Sequence, residues 1–344
     1  MFSFLTPKGP TTATINGQAI RVEPKETLLS AALRAGIDFP HSCRVGGCAA
    51  CKCQLLSGQV KELTETGYLL SDEELDQGYI LACQSVPKNN IQVAVDMAAQ
   101  LLRRRVHGRI IGQEKLTHNI TRLTVQLEAS LPYKAGQFAN LSLDALPGIS
   151  RSYSFATPVQ ADAQVSFFVR RVPGGRFSSF INGHDLLGQQ IDVEGPQGDF
   201  WLRPANAPLL LIAGGSGLAP ILALLQEAAR NHLQQPVTLL FGAREEHDLY
   251  ALAEISALAA QWPSAFRFIP VLSQAAADAT WSGARGLVTE QLAALLPTTA
   301  HAYLCGPPAM LDSCVAILRQ HGVAREHIHA DRFTTQQDAL AVSA

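Results

Sequence analysis

The chain has 344 residues, 47% of them hydrophobic and 16% charged, a balance that calls for large buried cores and excludes a disordered or low-complexity protein. That length exceeds one ordinary domain, so two or three are expected. The formal net charge of −2 leaves no electrostatic footprint for nucleic acid, no apolar stretch reaches the roughly 18 residues that span a bilayer, and the opening Met1-Phe2-Ser3-Phe4-Leu5-Thr6-Pro7-Lys8 lacks a secretory-signal layout, so a soluble, cytoplasmic, reducing setting with unpaired thiols and no membrane partner is expected.

Residues 1–98 form the first expected domain. Residues 13–22 read as a strand pair turning at Asn16-Gly17, a dipeptide suited to tight hairpins. Thr27 caps a helix through Leu28, Leu29, Ala32 and Leu33 that ends near Gly36. Pro40 blocks further helix before a loop rich in cysteine. Residues 79–83, Tyr79-Ile80-Leu81-Ala82-Cys83, read as a strand, and residues 91–95 alternate as an edge strand would.

Cys43, Cys48, Cys51 and Cys83 carry the chemistry of this region. Four residues separate the first pair, two the second, and 31 more precede Cys83. This C-x4-C-x2-C…C spacing is that of a plant-type [2Fe–2S] centre. A tight loop can present three sulfurs to one compact object only if its backbone curls; Gly46 and Gly47 permit the curl. Small Ala49 and Ala50 let the backbone approach. Three alternatives stand beside this one. Cys48-x-x-Cys51 could be a thioredoxin-like pair, although no βαβ pattern surrounds it. Four cysteines could hold structural zinc, which more often uses two paired knuckles. A disulfide framework suits secreted chains. Cys53 and Cys314 read as small buried hydrophobes.

Residues 99–105 read as a linker, with Arg103-Arg104-Arg105 as a solvated hinge. Residues 106–204 then show short β-like runs at 120–127, 137–143, 152–156, 165–171 and 191–194. Turns at Pro132, Pro147-Gly148, Pro173-Gly174-Gly175 and Gly195-Pro196-Gln197-Gly198 separate them. Regular strands so punctuated predict an antiparallel β-barrel. Within it Arg151-Ser152-Tyr153-Ser154 gathers a cation, two hydroxyls and an aromatic ring. With Arg151 and Tyr153 on one strand face, this run can stack on a ring and grip a phosphate. Gly174-Gly175-Arg176-Phe177-Ser178-Ser179 offers backbone and hydroxyl donors at the start of a short helix. An ordinary barrel strand and turn would account for both equally well.

Residues 205–333 change texture. Continuous apolar runs at 209–212, 237–241, 266–272 and 302–305, with helices between, predict an α/β domain around a parallel sheet. Ala213-Gly214-Gly215-Ser216-Gly217-Leu218-Ala219-Pro220 joins the first strand to its helix. Glycines there admit a phosphate, and the helix start supplies free N–H groups. The loop is not G-x-G-x-x-G, and alone it could be only a tight turn. Cys305-Gly306-Pro307-Pro308 ends a later strand, the place where such sheets bind ligands. Residues 334–344 form a tail.

In combination these motifs resemble the ferredoxin–NAD(P)+ reductase superfamily, specifically the three-domain reductase components of bacterial multicomponent oxygenases, of the benzoate dioxygenase and methane or toluene monooxygenase type. The resemblance covers residues 10–333 in the same domain order. It implies a β-grasp-like [2Fe–2S] ferredoxin domain, an antiparallel β-barrel that binds FAD and an α/β parallel-sheet domain that binds NADH. It implies Cys43, Cys48, Cys51 and Cys83 as cluster ligands. Arg151 would meet the flavin pyrophosphate with Gly175, Arg176, Phe177 and Ser178. Tyr153 would lie on the flavin ring and Ser154 near its reacting edge, with Ser152 beside them. Gly214, Gly215, Ser216, Gly217, Arg244, Gly306 and Pro307 would receive the dinucleotide, with Cys305 near the hydride path. Phe333, in Asp331-Arg332-Phe333, would be the terminal ring near the flavin.

The resemblance also gives the chemistry its order. NADH yields two electrons at once, the cluster accepts one, and a flavin converts between them without a protein acid or base. Glu245 and Glu246 disfavour a 2′-phosphate and favour NADH over NADPH. The partner is then a terminal oxygenase or another redox acceptor protein, and the chain is expected to be monomeric. Two rivals remain. Reductases of CDP-6-deoxyhexose biosynthesis are similar at Glu194-Gly195-Pro196-Gln197-Gly198 and Thr280-Trp281-Ser282-Gly283, and would feed a sugar-deoxygenating enzyme. A redox sensor without turnover would lack the nicotinamide loops present here.

Overall fold

Asn16 and Gly17 both take positive φ, 47° and 89°, as a two-residue primed hairpin turn demands. They join β1 (Thr11–Ile15) to β2 (Gln18–Val22). The Asn16 side chain also accepts from Val95 N–H at 2.8 Å and donates to its carbonyl at 2.9 Å, which ties the hairpin to the far end of the domain. The computed structural model describes residues 9–41, 44, 46, 49–64, 66, 70, 72–96, 103–275, 280–295 and 300–333. It divides into two units, Met1–Leu102 with Thr334–Ala344, and Arg103–Phe333.

In the first unit Thr27 caps α1 (Leu28–Arg34), its hydroxyl accepting from Ser30 N–H at 3.2 Å. α1 buries Leu28, Leu29, Ala31 and Ala32 in the domain core. The chain continues through β3 (Lys52–Ser57), β4 (Val60–Glu62), α2 (Asp72–Asp76), β5 (Tyr79–Leu81), β6 (Ser85–Pro87) and β7 (Ile91–Ala94). The main sheet runs β2-β1-β7-β3-β5, with β1 and β7 parallel and the other pairs antiparallel. A mixed sheet with one helix over it is the expected β-grasp form.

Two local expectations are corrected. β7 is not an edge strand, because it lies between β1 and β3. Its alternation reports that one face is buried, not how many neighbours it has. Cys83 is not in a strand: β5 ends at Leu81, and Ala82–Gln84 form a 3-10 turn. Lys52 is paired with Leu81, after which Ala82 N–H turns to the Cys51 carbonyl at 3.0 Å and the ladder stops.

The second unit opens with the barrel: β8 (Arg104–Lys115), β9 (Ile120–Leu127), β10 (Phe138–Ser142), β11 (Ser150–Ser154), β12 (Gln164–Arg170), α3 (Arg176–Gly183) and β13 (Gln190–Gln197). The order β11-β10-β13-β8-β9-β12 is brought nearly to closure by an antiparallel bridge between Phe155 and Phe167. Val106, Ile110, Leu123, Val125, Leu141, Phe167 and Val193 fill its interior. The supposed hinge is partly barrel: Arg104 and Arg105 begin β8, and Arg105 meets Glu194 at 2.9 Å. Gly195, Pro196 and Gln197 likewise lie inside β13 rather than in a turn, with Gln197 opposite Phe138.

The α/β part comprises β14 (Leu209–Gly214), α4 (Leu218–Arg230), β15 (Val237–Ala243), α5 (Leu252–Gln261), β16 (Phe266–Leu272), β17 (Ala284–Arg285), α6 (Val288–Ala293), β18 (His301–Gly306), α7 (Pro308–Gln320) and β19 (Ile328–Arg332). All its strand pairs are parallel, in the order β17-β16-β15-β14-β18-β19. β14 and β18 are buried at every residue, which is why their sequences read as unbroken apolar runs. Barrel residues Ile120, Phe168 and Phe200 share one core cluster with β14 and α4. Arg122 of β9 also pairs with Glu254 of α5. Among the described residues no helix is long and apolar enough to cross a membrane.

Candidate functional site

Cys43, Cys48 and Gly47 lie outside the described residues. The remaining pieces of their loop show the curl that three sulfurs on one object require. Arg44, Gly46 and Ala49 have φ of 61°, 75° and 52°, and for the two non-glycines that conformation is a strain which functional loops retain. Cys51 and Cys83 are buried, 3% and 5% exposed. The Cys83 N–H points at the Cys51 sulfur at 3.4 Å, and the Gln84 side-chain amide reaches the Cys83 sulfur at 3.7 Å. Hydrogen-bond donors directed at sulfur are what a bound cluster uses to set its potential, so this pair fits the group. Cys53 lies outside the C-x4-C-x2-C…C spacing, and burial, reinforced by nearby Cys83, pushes its thiol up to about 12.

Gln84 was not singled out by the sequence. It is 7% exposed, accepts from the Thr64 hydroxyl at 3.2 Å, and packs so close to Gly46 that a Cβ there would lie 2.8 Å from its Cγ. Gly46 is therefore needed twice, for its backbone angle and for this approach.

On the barrel, Arg151 and Tyr153 are two residues apart on β11 and share a face, as expected. The Tyr153 ring stacks beside Phe177 of α3, 5.9 Å between centroids and 29° between planes. Arg151 is exposed and donates to the Ser150 carbonyl at 2.7 Å. Ser152 faces the other way and donates to Asn140 Oδ1 at 2.8 Å, while Ser154 is buried at the strand end, opposite Phe138. Gly175 is the N-cap of α3 and offers no side-chain cap, so the first-turn N–H groups at Arg176, Phe177 and Ser178 suit an anion. One expectation is corrected here. The Ser178 hydroxyl is turned inward, accepting from Val172 N–H at 3.1 Å, because it braces the turn before α3. What Ser178 can offer a phosphate is its backbone N–H.

The glycine turn after β14 and the Cys305-Gly306-Pro307 turn stand side by side because β14 and β18 are neighbours, with Ala213 paired to Cys305. The sheet reverses its order of building at this pair, which is where open α/β sheets place ligands. Gly214 ends β14, Gly215, Ser216 and Gly217 form a 3-10 turn, and α4 begins at Leu218 with Pro220 in its first turn. A Cβ on Gly217 would sit 2.2 Å from the Cys305 carbonyl oxygen, and one on Gly214 would sit 2.9 Å from Pro307 Cδ and 2.8 Å from Met310 Cε. A Cβ on Gly306 would be 3.1 Å from Gly214 Cα. At Gly217 the glycine is imposed by the Cys305 backbone, and at Gly214 and Gly306 by the Met310 side chain together with the neighbouring loop.

Gly242, opposite Gly214 at the end of β15, continues this row; a Cβ there would lie 2.6 Å from a Val288 methyl. Tyr250 was likewise missed: its hydroxyl donates to the Gly215 carbonyl at 2.9 Å, with its ring between Phe168 and Phe241. No local pattern marks either residue, since each acts through partners distant in sequence.

The Cys305 thiol has no exposure, and burial together with Asp331, 3.9 Å away, raises it well above its usual range. Phe333 follows β19, packs against the shared core and donates its N–H to the Gly306 carbonyl at 3.0 Å. Arg244, Glu245 and Glu246 are exposed just beyond β15.

Comparison with known proteins agrees with this layout. Residues 13–88 match a 2Fe-2S iron-sulfur cluster binding domain, residues 107–201 an oxidoreductase FAD-binding domain and residues 211–316 an oxidoreductase NAD-binding domain. The chain is 40% identical over 95% of both lengths to the xylene/toluene monooxygenase electron transfer component of Pseudomonas putida. It is 33% identical to the phenol 2-monooxygenase reductase component of Pseudomonas sp. (strain CF600), over 95% of each chain. Among solved structures, an Amycolatopsis cytochrome P450 reductase superposes with a TM-score of 0.69 at 31% identity, covering 94% of this chain and 99% of that one.

Proposed function

The chain belongs to the three-domain electron-transfer reductases of multicomponent oxygenases, and on that premise we propose that it draws electrons from NADH and delivers them through FAD and a [2Fe–2S] cluster to the terminal component of such an oxygenase. The observation that supports the reading is the packing of Gly217 against the Cys305 backbone, which sets the glycine turn beside the ends of β14 and β18. The named relatives are oxygenase components, so a sugar-deoxygenating client is not favoured, and the glycine turn argues against a sensor without turnover.

Bound FAD supplies the conversion of a hydride into single electrons, and the cluster supplies their exit. The chain's own residues bind and orient. Arg151 and the N–H groups that open α3 take the flavin pyrophosphate, Tyr153 covers the flavin ring, and Ser154 stands at its reacting edge. Gly214, Gly215, Ser216 and Gly217, with Gly306 and Pro307, hold the dinucleotide. Cys305 fills the floor beside the hydride path as a neutral thiol, and Phe333 is the ring at the flavin, pinned by its bond to Gly306. Arg244 lies at the adenosine end with Glu245 and Glu246, whose charge selects NADH. Cys43, Cys48, Cys51 and Cys83 ligate the cluster.

One chain carrying all three modules needs no second copy to complete the route, so we place it as a monomer. Cys53, Cys305 and Cys314 are buried thiols, which suit a reducing cytoplasm. The direct test is to add NADH to the purified holoprotein. The flavin absorbance should bleach and cytochrome c should then be reduced; an unbleached flavin would refute the proposal.

A further inference from the structure

The turn between β8 and β9 carries His118, and the short turn after β15 carries His247 and Asp248. One ligand atom from each of these three lies within 4.8 Å of the others. His118 Nδ1 is 3.5 Å from Asp248 Oδ1, and His247 Nε2 is 3.8 Å from the same oxygen. Donors bound to one tetrahedral ion at Zn–N and Zn–O lengths are about 3.4 Å apart, so the set is already near the spacing an ion would impose.

Two further features separate this cluster from a chance meeting of surface side chains. The other ring nitrogen of His247, Nδ1, faces Glu245 Oε2 at 3.5 Å, and a carboxylate behind a ligating imidazole is the usual outer shell of a metal site. Asp248 is also held in place, because its second oxygen accepts from Glu245 N–H at 3.2 Å. The His118 turn is braced in turn by Thr117, whose hydroxyl accepts from the N–H groups of Asn119 and Ile120 at 3.2 and 3.0 Å.

We infer that His118, His247 and Asp248 bind a divalent transition ion of the Zn2+ class, with Glu245 orienting His247. Two imidazoles and one carboxylate select such ions over Mg2+ or Ca2+, which prefer oxygen alone. The ion would tie the barrel turn to the loop that follows β15. It would also place positive charge next to Glu245. The site uses none of the residues assigned to the cluster or to FAD.

The test uses untagged holoprotein in its oxidised state, in which flavin and cluster are both diamagnetic. Zn2+ titrated calorimetrically should bind once per chain, at least about tenfold more weakly in His118→Ala and in His247→Ala, and about 10- to 100-fold more weakly in Glu245→Gln. Cu2+ as a probe should give an electron paramagnetic resonance signal coupled to two nitrogens, reduced to one in His118→Ala. Zn2+ affinity unchanged in both histidine variants, or a Cu2+ signal without nitrogen coupling, would overturn the assignment.

Discussion

Gly217 and Cys305 touch through their backbones: a Cβ on the first would lie 2.2 Å from the carbonyl oxygen of the second. No side-chain rotation relieves that contact, so Gly217→Ala must push the nucleotide turn away from β18. The expected result is a fall of about tenfold or more in kcat/KM for NADH with ferricyanide as acceptor, corresponding to about 1.4 kcal/mol of lost transition-state binding. FAD content should be unchanged, since the barrel is untouched.

Tyr250 holds the same turn from the other side through its 2.9 Å bond to the Gly215 carbonyl. Tyr250→Phe keeps the ring packing and deletes the donor, at a cost of about 1 kcal/mol. A thermal melt should show the midpoint of the flavin-binding unit lowered by about 2–4 °C.

Cys53 and Cys83 are both buried, yet only one is placed as a ligand. Cys53→Ala should leave iron and acid-labile sulfide per chain unchanged and cost about 1 kcal/mol of stability. Cys83→Ser should lose the cluster. Loss of iron in Cys53→Ala would contradict the ligand set.

Acid should weaken the α/β part through a group of stacked histidines. His301 lies on His327 with ring centroids 4.2 Å apart, and His329 lies on Tyr303 at 4.8 Å. Burial, helped by Arg203 and the neighbouring histidines, holds His329 down to about 3, and burial also lowers His301. Unfolded, His301 and His329 take up protons below the ordinary 6.5, while the fold disfavours their charged forms. For His329 stability is therefore complete above that pH and drains as pH falls toward 3, by about 1.4 kcal/mol per pH unit inside the window, and His301 adds to it in the same direction. Urea midpoints measured between neutral pH and pH 5 should fall, and His329→Gln should flatten the slope.

Much of this was legible in the residues themselves. β9 occupies the span that its alternation indicated, and the glycine turn falls between β14 and α4 as its composition demanded. β8 was hidden because it begins inside an arginine run and carries Gly108 and Gly112, which read as breakers. In the structure Gly108 is required, since a Cβ there would meet Val125 at 2.7 Å. β19 is short and its mixed sequence, Ile-His-Ala-Asp-Arg, does not look like a buried strand, although four of its five residues are buried. Gln84, Gly242 and Tyr250 stayed invisible for a different reason. Each matters through one contact with a residue far along the chain, and no local period records such a contact. The inward turn of the Ser178 hydroxyl likewise depends on the return of Val172.

The central claim is a one-chain route from NADH to a one-electron exit, and Cys48→Ser tests it most directly. Mixed rapidly with NADH in the presence of cytochrome c, this variant should bleach its flavin at the wild-type rate but leave cytochrome c oxidised. Wild-type reduction of cytochrome c by a variant lacking its cluster would contradict the account.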